Sequence, residues 1–544
     1  MKQKIISAIA VAALTMTYSC GNHDAGKDGA AADSLEISVT PPYTIQVQEY
    51  VNPNLPDLHS YTHAIYKDKI IMIGGRTNGL HGGNYDFEQS SANKDVFVID
   101  TKNWAADAAT WEVHSMPDTQ IPFTNKEQFR ANNAQFFTDD EKGVLYIIGG
   151  LYGSNVHTKL KVPKDPDKGL QVVKPKGLLK GSDGKAAAGP ITLPYFTAVD
   201  LKALVDLVMN QTPMPANAIR QAINPDLAAT GGELSVMDKK VYLVFGWDFS
   251  IPPNGATGDL YSHKIKSFNY TDNGQQVSLG AIDVCPTCWD NEIDSSNTGK
   301  YRRRDGSLSA MIDPKDESPA LIYYAGVFKN GNTNFDSPVW IGENTASEDP
   351  FVMRSNVYTC QVVPAYSKVR KVSYATLLGG MTNAIYNGGA ITQPTLLTAQ
   401  NAPLIPEDTE NFTSVPFSNQ FSTLAVTANH TYSQYLLPDS FPNTTVPTIF
   451  ADTTLPAGSV TYNGAESEFL WTLNANLLPN GVIDYDSYIA ANPNGGVIGY
   501  VHGGIQSVLP NLFFTKAAQL TVASNRIFSV KLVPLQVAAP TAKK

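Results

Sequence analysis

The sequence predicts an all-β protein: a series of short, four-stranded sheets joined into a ring that the N-terminal strand closes. Three observations predict it. An apolar run ending in glycine recurs along the chain, and shorter strand-like segments flank each run. The two ends of the chain read as strands of one incomplete sheet. Composition agrees: charged residues are only 17%, aromatics reach 10%, and 41 Gly and 35 Pro supply turns, a mixture that favours short strands over helical bundles.

The recurring run appears as IIMIGGR (Ile70–Arg76), LYIIGGL (Leu145–Leu151), VYLVFGW (Val241–Trp247), LIYYAGV (Leu321–Val327), ATLLGGM (Ala375–Met381) and VIGYVHGG (Val497–Gly504). Such runs fit inner strands buried on both faces, with glycine permitting positive φ or close backbone approach. Upstream of each lies a shorter segment: SYTHAIY, NAQFF, GELSVM, GSLSAMI, TCQVVPAY and SEFLWTL. Downstream lie DVFVID, YFTAVDL, KIKSFNY, PVWIG, QFSTLAV and RIFSVKL. A fourth strand is legible as TWEVHSMP, VSLGAIDV and TYSQYLLP. Four strands recurring about six times is the pattern of a propeller.

RIFSVKL looks like a third strand with no fourth after it, and TIQVQEY (Thr44–Tyr50) like a fourth strand with no sheet before it. Pairing them closes the ring and removes two exposed edges. Separate β-sandwich domains are the alternative.

In the first unit IIMIGG is followed by DVFVID and then by Trp111 ahead of Met116 and Pro117. That order resembles the kelch repeat, with its strand closing on Gly-Gly, its aromatic strand and its Trp-bearing strand. The resemblance covers about Tyr43 to Leu535 and implies a single six-bladed kelch-like β-propeller with four-stranded blades, its ring closed by the N-terminal strand. The other units lack the Trp, and Gly246 and Gly326 stand without a second Gly. Long inter-strand insertions follow Gly150 and Gly389 and separate Trp471 from Gly496.

The N-terminus reads as an export address. Lys2 and Lys4 precede an apolar run from Ile5 to Met16, too short to cross a bilayer as a helix, and Thr17, Tyr18 and Ser19 lead into Cys20. This ending resembles the lipobox of bacterial lipoproteins, which implies lipidation at Cys20. Tyr18 departs from the small residues usual there, and an ordinary signal peptide with a chance Cys is the alternative. Gly21, where Asp would signal inner-membrane retention, implies the outer membrane. The expected organisation is a signal peptide at 1–19, a lipidated Cys and flexible tether at 20–42, the propeller at 43–536 and a disordered tail at 537–544. No later stretch is apolar enough to span a membrane. The formal charge of −10 argues against a nucleic-acid partner. The lysines between Lys159 and Lys185, interleaved with Pro and Gly, read as a solvated insertion.

Residues that open each inner strand would converge on the channel of such a ring. They are Tyr61 and His63, Arg130 and Asn132, Glu233, then Arg302, Arg303, Arg304 and Asp305 from YRRRD, and Glu466 and Glu468. Alternation places Arg302 and Arg304 on one face. Opposite charges there suit a polar ligand such as a sugar acid, held by bidentate arginine contacts. The alternative is that the charges pair with one another.

Cys285 and Cys288, in CPTCW, read as a disulfide pinning a loop; a redox pair lacks the helical setting, and zinc lacks two further ligands. Cys360 reads as a buried free thiol, and His502 as a packed core histidine. No H-E-x-x-H, G-x-S-x-G or phosphate loop is present, so no metal or cofactor is expected.

The functional expectation is a lipid-anchored envelope module that binds a glycan or a protein partner. Rigid scaffolds carry binding loops, and the aromatic insertions Leu80–Gln89 and Gly246–Gly255 suit sugar rings. The alternative is a sugar-modifying enzyme, mutarotase- or hydrolase-like, with its site in the channel. The kelch class includes periplasmic sialic-acid mutarotases. By that analogy alone, Glu233 would carry the proton and Arg130 or Arg304 would hold a carboxylate.

Overall fold

A computed structural model describes residues 38–80, 91–153, 160–163, 170–173, 191–248, 261–290, 299–329, 333–406, 415–443, 455, 459–472, 475–510 and 520–535. The chain divides into Met1–Ser38 and Val39–Lys544, and apart from Ser38 every described residue belongs to the second unit. The export signal, Cys20 and the 537–544 tail lie outside the described residues. So do most of the lysine-bearing insertion and of the two aromatic insertions.

The fold is all-β. Alternation of apolar and polar residues builds a first antiparallel sheet from Thr62–Tyr66, Lys69–Ile73, Asp95–Asp100 and Glu112–Pro117, in that order. The same four-strand order recurs from Gln135–Asp139, Glu233–Met237, Ser307–Ile312 and Gln361–Ser367. In the last sheet Glu468–Trp471, Gly496–His502 and Ile527–Pro534 are completed by Tyr43–Tyr50, paired from Tyr43↔Pro534 to Tyr50↔Ile527. Every upstream, glycine-ending and downstream segment named from sequence forms a strand of its sheet.

One assignment changes. The shorter upstream segment lies beside its counterparts as the edge strand, with the glycine-ending apolar strand second, except that in the fifth sheet Ile483–Asp484 pairs parallel outside Gln361–Ser367. Thr62–Tyr66 lies beside Gln135–Asp139, which lies beside Glu233–Met237, then Ser307–Ile312, then Gln361–Ser367. Glu468–Trp471 touches both Gln361–Ser367 and Thr62–Tyr66. The second strands are buried because sheets pack on both of their faces: Ile70–Met72, Leu145–Ile148 and Leu321–Tyr324 are each almost fully inaccessible.

The glycines stitch one sheet to the next. The N–H groups of Gly75, Gly150, Gly246, Gly326, Gly380 and Gly504 donate to the carbonyls of Ala131, Ala229, Arg303, Val357, Asn463 and Leu58, at 2.8–3.2 Å. All six have φ between +85° and +98°. A Cβ on Gly504 would sit 2.6 Å from the Ala465 carbonyl oxygen. Gly504→Ala is therefore expected to destabilise the fold by about 3 kcal/mol through clash and strain together, read as a lowered urea midpoint at unchanged slope. The residue before each glycine also has positive φ, whether it is Gly74 or the non-glycine Phe245 and Ala325. The missing second glycines thus mark a change of residue and not of backbone.

Sequence reasoning did not identify the helix Leu201–Asn210, capped by the Asp200 side chain accepting from the Ala203 N–H. It also missed the fourth strands Ile219–Ile223 and Thr345–Glu348 and the helix Tyr485–Ala491 inside the last insertion. The expected tether overshoots at its end: Pro41 and Pro42 are buried, and the Pro42 carbonyl accepts from the Leu535 N–H and the Tyr485 hydroxyl. No helix among the described residues is long and apolar enough to cross a membrane.

Candidate functional site

Each sheet sends one residue, just before its first strand, to a common waist. The Ser60 N–H donates to Glu466 O (3.3 Å), Asn133 to Ser60 (3.0 Å), and Gly231 to Asn133 (3.2 Å). Asp305 then donates to Gly231 (2.7 Å), Thr359 to Asp305 (2.9 Å), and Glu466 to Thr359 (3.0 Å). The six peptide groups form a cycle, and five of the six residues reach it with positive φ.

A cavity of about 360 Å³ opens on one side of this waist. Two residues beyond it, the inner strands carry Gln135, Glu233, Ser307, Gln361 and Glu468 to the cavity wall. One residue further stand His63, Phe136, Leu234, Leu308, Val362 and Phe469, so a polar tier gives way to an apolar one. Trp471 and Asn480 also line it. A second cavity, of about 30 Å³, shares four waist residues and adds His59, Arg76, Trp247, Arg304 and Tyr358.

The carboxyls differ in their partners. Glu466 accepts from Tyr358 at 2.7 Å, from His59 at 3.0 Å and from Ser60. Burial opposes its charge, but these bonds outweigh burial and hold its carboxyl well below the usual range. Asp305 pairs with Arg304, yet burial outweighs that pairing, and with Glu466 nearby its pKa is pushed up to about 6. Glu468 has His63 at 3.5 Å; burial still raises its pKa, offset in part by that histidine.

Glu233 has no hydrogen-bond or ion-pair partner among the described residues. It is half-buried and lines the cavity. Burial first, then Glu468 and Asp305, raise its pKa well above the ordinary 4.5. Between that ordinary value and the raised one, the native state holds a proton that the unfolded chain has lost, so stability falls as pH rises. Glu233→Gln removes this loss. The variant's advantage over the parent is expected to be absent below pH 4.5 and to grow by up to about 1.4 kcal/mol per pH unit above it, read from denaturation midpoints at several pH values.

Of the other residues singled out from sequence, Tyr61 and His63 line the cavity. The Tyr61 hydroxyl lies 2.8 Å from Nδ1 of His502, a fully buried imidazole whose pKa burial lowers to about 3. Cys360 lines the cavity as a buried free thiol, its pKa raised by burial to about 12. Cys285 and Cys288 are joined in a disulfide.

The arginines go elsewhere, which removes the expected anion clamp. Arg130 pairs with Asp118, which is 1% exposed, so it braces a short helix instead of reaching the channel. Asn132 is buried outside both cavities, exchanging backbone bonds with Leu151. Arg302 stacks 4.1 Å over the Tyr261 ring and donates to the Phe328 carbonyl. Arg304 lies over Trp247 and donates to the Tyr261 hydroxyl, facing the smaller cavity. Both contact Tyr261, as alternation predicts.

Sequence reasoning missed Ser60, Asn133, Gly231 and Thr359, whose shared property is backbone conformation and not chemistry. No group of metal-ligating side chains occurs among the described residues.

No family model matches the chain, and no curated protein matches it. Among solved structures, one titled "Structure of YjhT" is similar at 12% identity and a TM-score of 0.39, over 91% of this chain and 100% of that one. A likeness at that level carries no weight for function.

Proposed function

We propose that the chain is a closed, six-bladed β-propeller that binds a glycan in its channel, anchored to the cell envelope through lipid on Cys20. Closure is supported by the cycle of six hydrogen bonds, with one residue from each sheet, and by the pairing of Tyr43–Tyr50 with Ile527–Pro534. The anchor rests on the apolar run and Cys20 of the sequence, and the outer-membrane address on Gly21.

The observation that carries the binding reading is the larger cavity. Carboxylates and amides of one tier accept and donate hydrogen bonds to hydroxyls, while Phe136, Phe469 and Trp471 offer faces to the C–H side of a sugar. A thermal-shift screen of the chain against glycans, sugar acids and cell-wall fragments tests it. A rise in melting temperature that Glu468→Gln abolishes supports the reading; a broad panel without a shift overturns it in favour of a protein partner.

One observation favours the enzyme reading as a second choice. Burial and neighbouring carboxyls raise the Glu233 pKa while three donors hold the Glu466 carboxyl below the usual range, the separation that an acid–base pair needs. Glu233→Gln distinguishes the two. Lost turnover with retained binding marks a sugar-modifying enzyme, whereas a change in affinity alone marks a binding module.

A further inference from the structure

Charge in the larger cavity does not balance. Asp305 has Arg304, Glu466 has three donors, and Glu468 has only His63 at 3.5 Å. Glu233 has none. No Lys or Arg among the described residues lines this cavity. Glu233 belongs to the third sheet in chain order and Glu468 to the sixth, so two sheets lie between them in either direction around the cycle.

We infer that this cavity takes a small sugar bearing a protonated amine, seated with its ammonium between Glu233 and Glu468. The inference rests on the glycan-binding reading and names the class of glycan. An anionic sugar would meet four carboxyls and no cation. A neutral sugar would fill the space but bring no charge to offset ionisation of the buried Glu233 carboxyl. An ammonium supplies charge-assisted bonds to both glutamates at once. Phe136, Phe469 and Trp471 attract the same charge through their ring faces, and Ser235, Ser309 and Gln361 are placed for ring hydroxyls.

Binding of a cation also moves a proton. The titratable groups facing Glu233 are Glu468 and Asp305, with the Cys360 thiol in the wall and the Tyr323 hydroxyl near enough to feel its charge. His63 faces Glu468. An ammonium beside Glu233 favours its carboxylate, so the ligand lowers the pKa that burial raises and displaces a proton wherever Glu233 is still protonated.

Isothermal titration of the full chain at pH 7 tests this, using glucosamine, glucose, glucuronic acid and Nα-acetyl-lysine amide in phosphate and in Tris. Glucosamine is expected to bind at least tenfold more tightly than glucose, with glucuronic acid silent. A proton displaced from Glu233 reads as a difference in glucosamine heat between the two buffers, and glucose heat should show none. Glu233→Gln and Glu468→Gln should each bring glucosamine down to the glucose level with the melting transition retained.

Glucose or glucuronic acid binding as tightly as glucosamine overturns the inference and leaves the glycan-binding reading standing. Binding of the lysine amide without glucosamine assigns the site to a peptide amine and overturns the inference. Silence from all four overturns the inference and the glycan-binding reading together.

Discussion

A chain that starts at Val51 is expected to lose the single cooperative unfolding transition of one that starts at Ser38, and to associate in solution. The missing strand pairs along its whole length with Ile527–Pro534. Tyr43 and Ile45 are fully buried, and the Tyr43 ring meets Tyr374 edge-on while its hydroxyl lies 3.0 Å from Thr376. The Thr44 hydroxyl donates to Asp439 at 2.6 Å. Losing two buried side chains at about 1.5–3 kcal/mol each removes roughly 5 kcal/mol before the ladder is counted, an amount comparable with the whole stability of many domains. The deletion also exposes Ile527–Pro534 as a long apolar edge. Urea denaturation followed by Trp fluorescence, with size-exclusion chromatography, checks this. A shortened chain that unfolds cooperatively near the parent midpoint would show that the strand contributes little.

The second large effect belongs to the middle arginine of YRRRD. Arg303 is fully buried and donates to the carbonyls of Lys300 (2.6 Å), Ala325 (3.0 Å) and Ser337 (2.6 Å), and also to Glu348. Its guanidinium stacks 4.1 Å over Phe335. Burial lowers its pKa to about 10, so it remains charged at neutral pH. Arg303→Ala strands three carbonyls and a carboxylate, and is expected to cost about 3–5 kcal/mol, whereas Arg302→Ala should cost about 1 kcal/mol or less. Comparable losses in the two variants, measured by chemical denaturation, would refute this assignment.

The strand plan was legible because burial repeats with the pleat: a run such as Ile70–Ile73 or Leu145–Ile148 announces itself whatever surrounds it. Thr345–Glu348 carries no such pattern, since only Ala346 of its four residues is buried, and Ile219–Ile223 lies behind an unforeseen helix. The site was legible in part. Glu233, Glu466, Glu468, Asp305, Tyr61 and His63 were found because the position before each strand is topologically fixed. Arg130 was misplaced because its partner, Asp118, lies in a loop that no periodicity connects to it. Arg303 was grouped with its neighbours for the channel, but it is fully buried and bonded to backbone carbonyls, which makes it the structural member of the three. The waist was invisible because Ser60, Asn133, Gly231, Asp305, Thr359 and Glu466 share nothing chemically.

That waist has a kinetic corollary. Its peptide dipoles run head to tail around a circle, each N–H already spent on the next carbonyl, and the Glu466 side chain is tied across it by residues on either side. Each link in the cycle relies on its two neighbours, so the waist is expected to open in one step and not bond by bond, and its six amides should exchange with deuterium at a common rate.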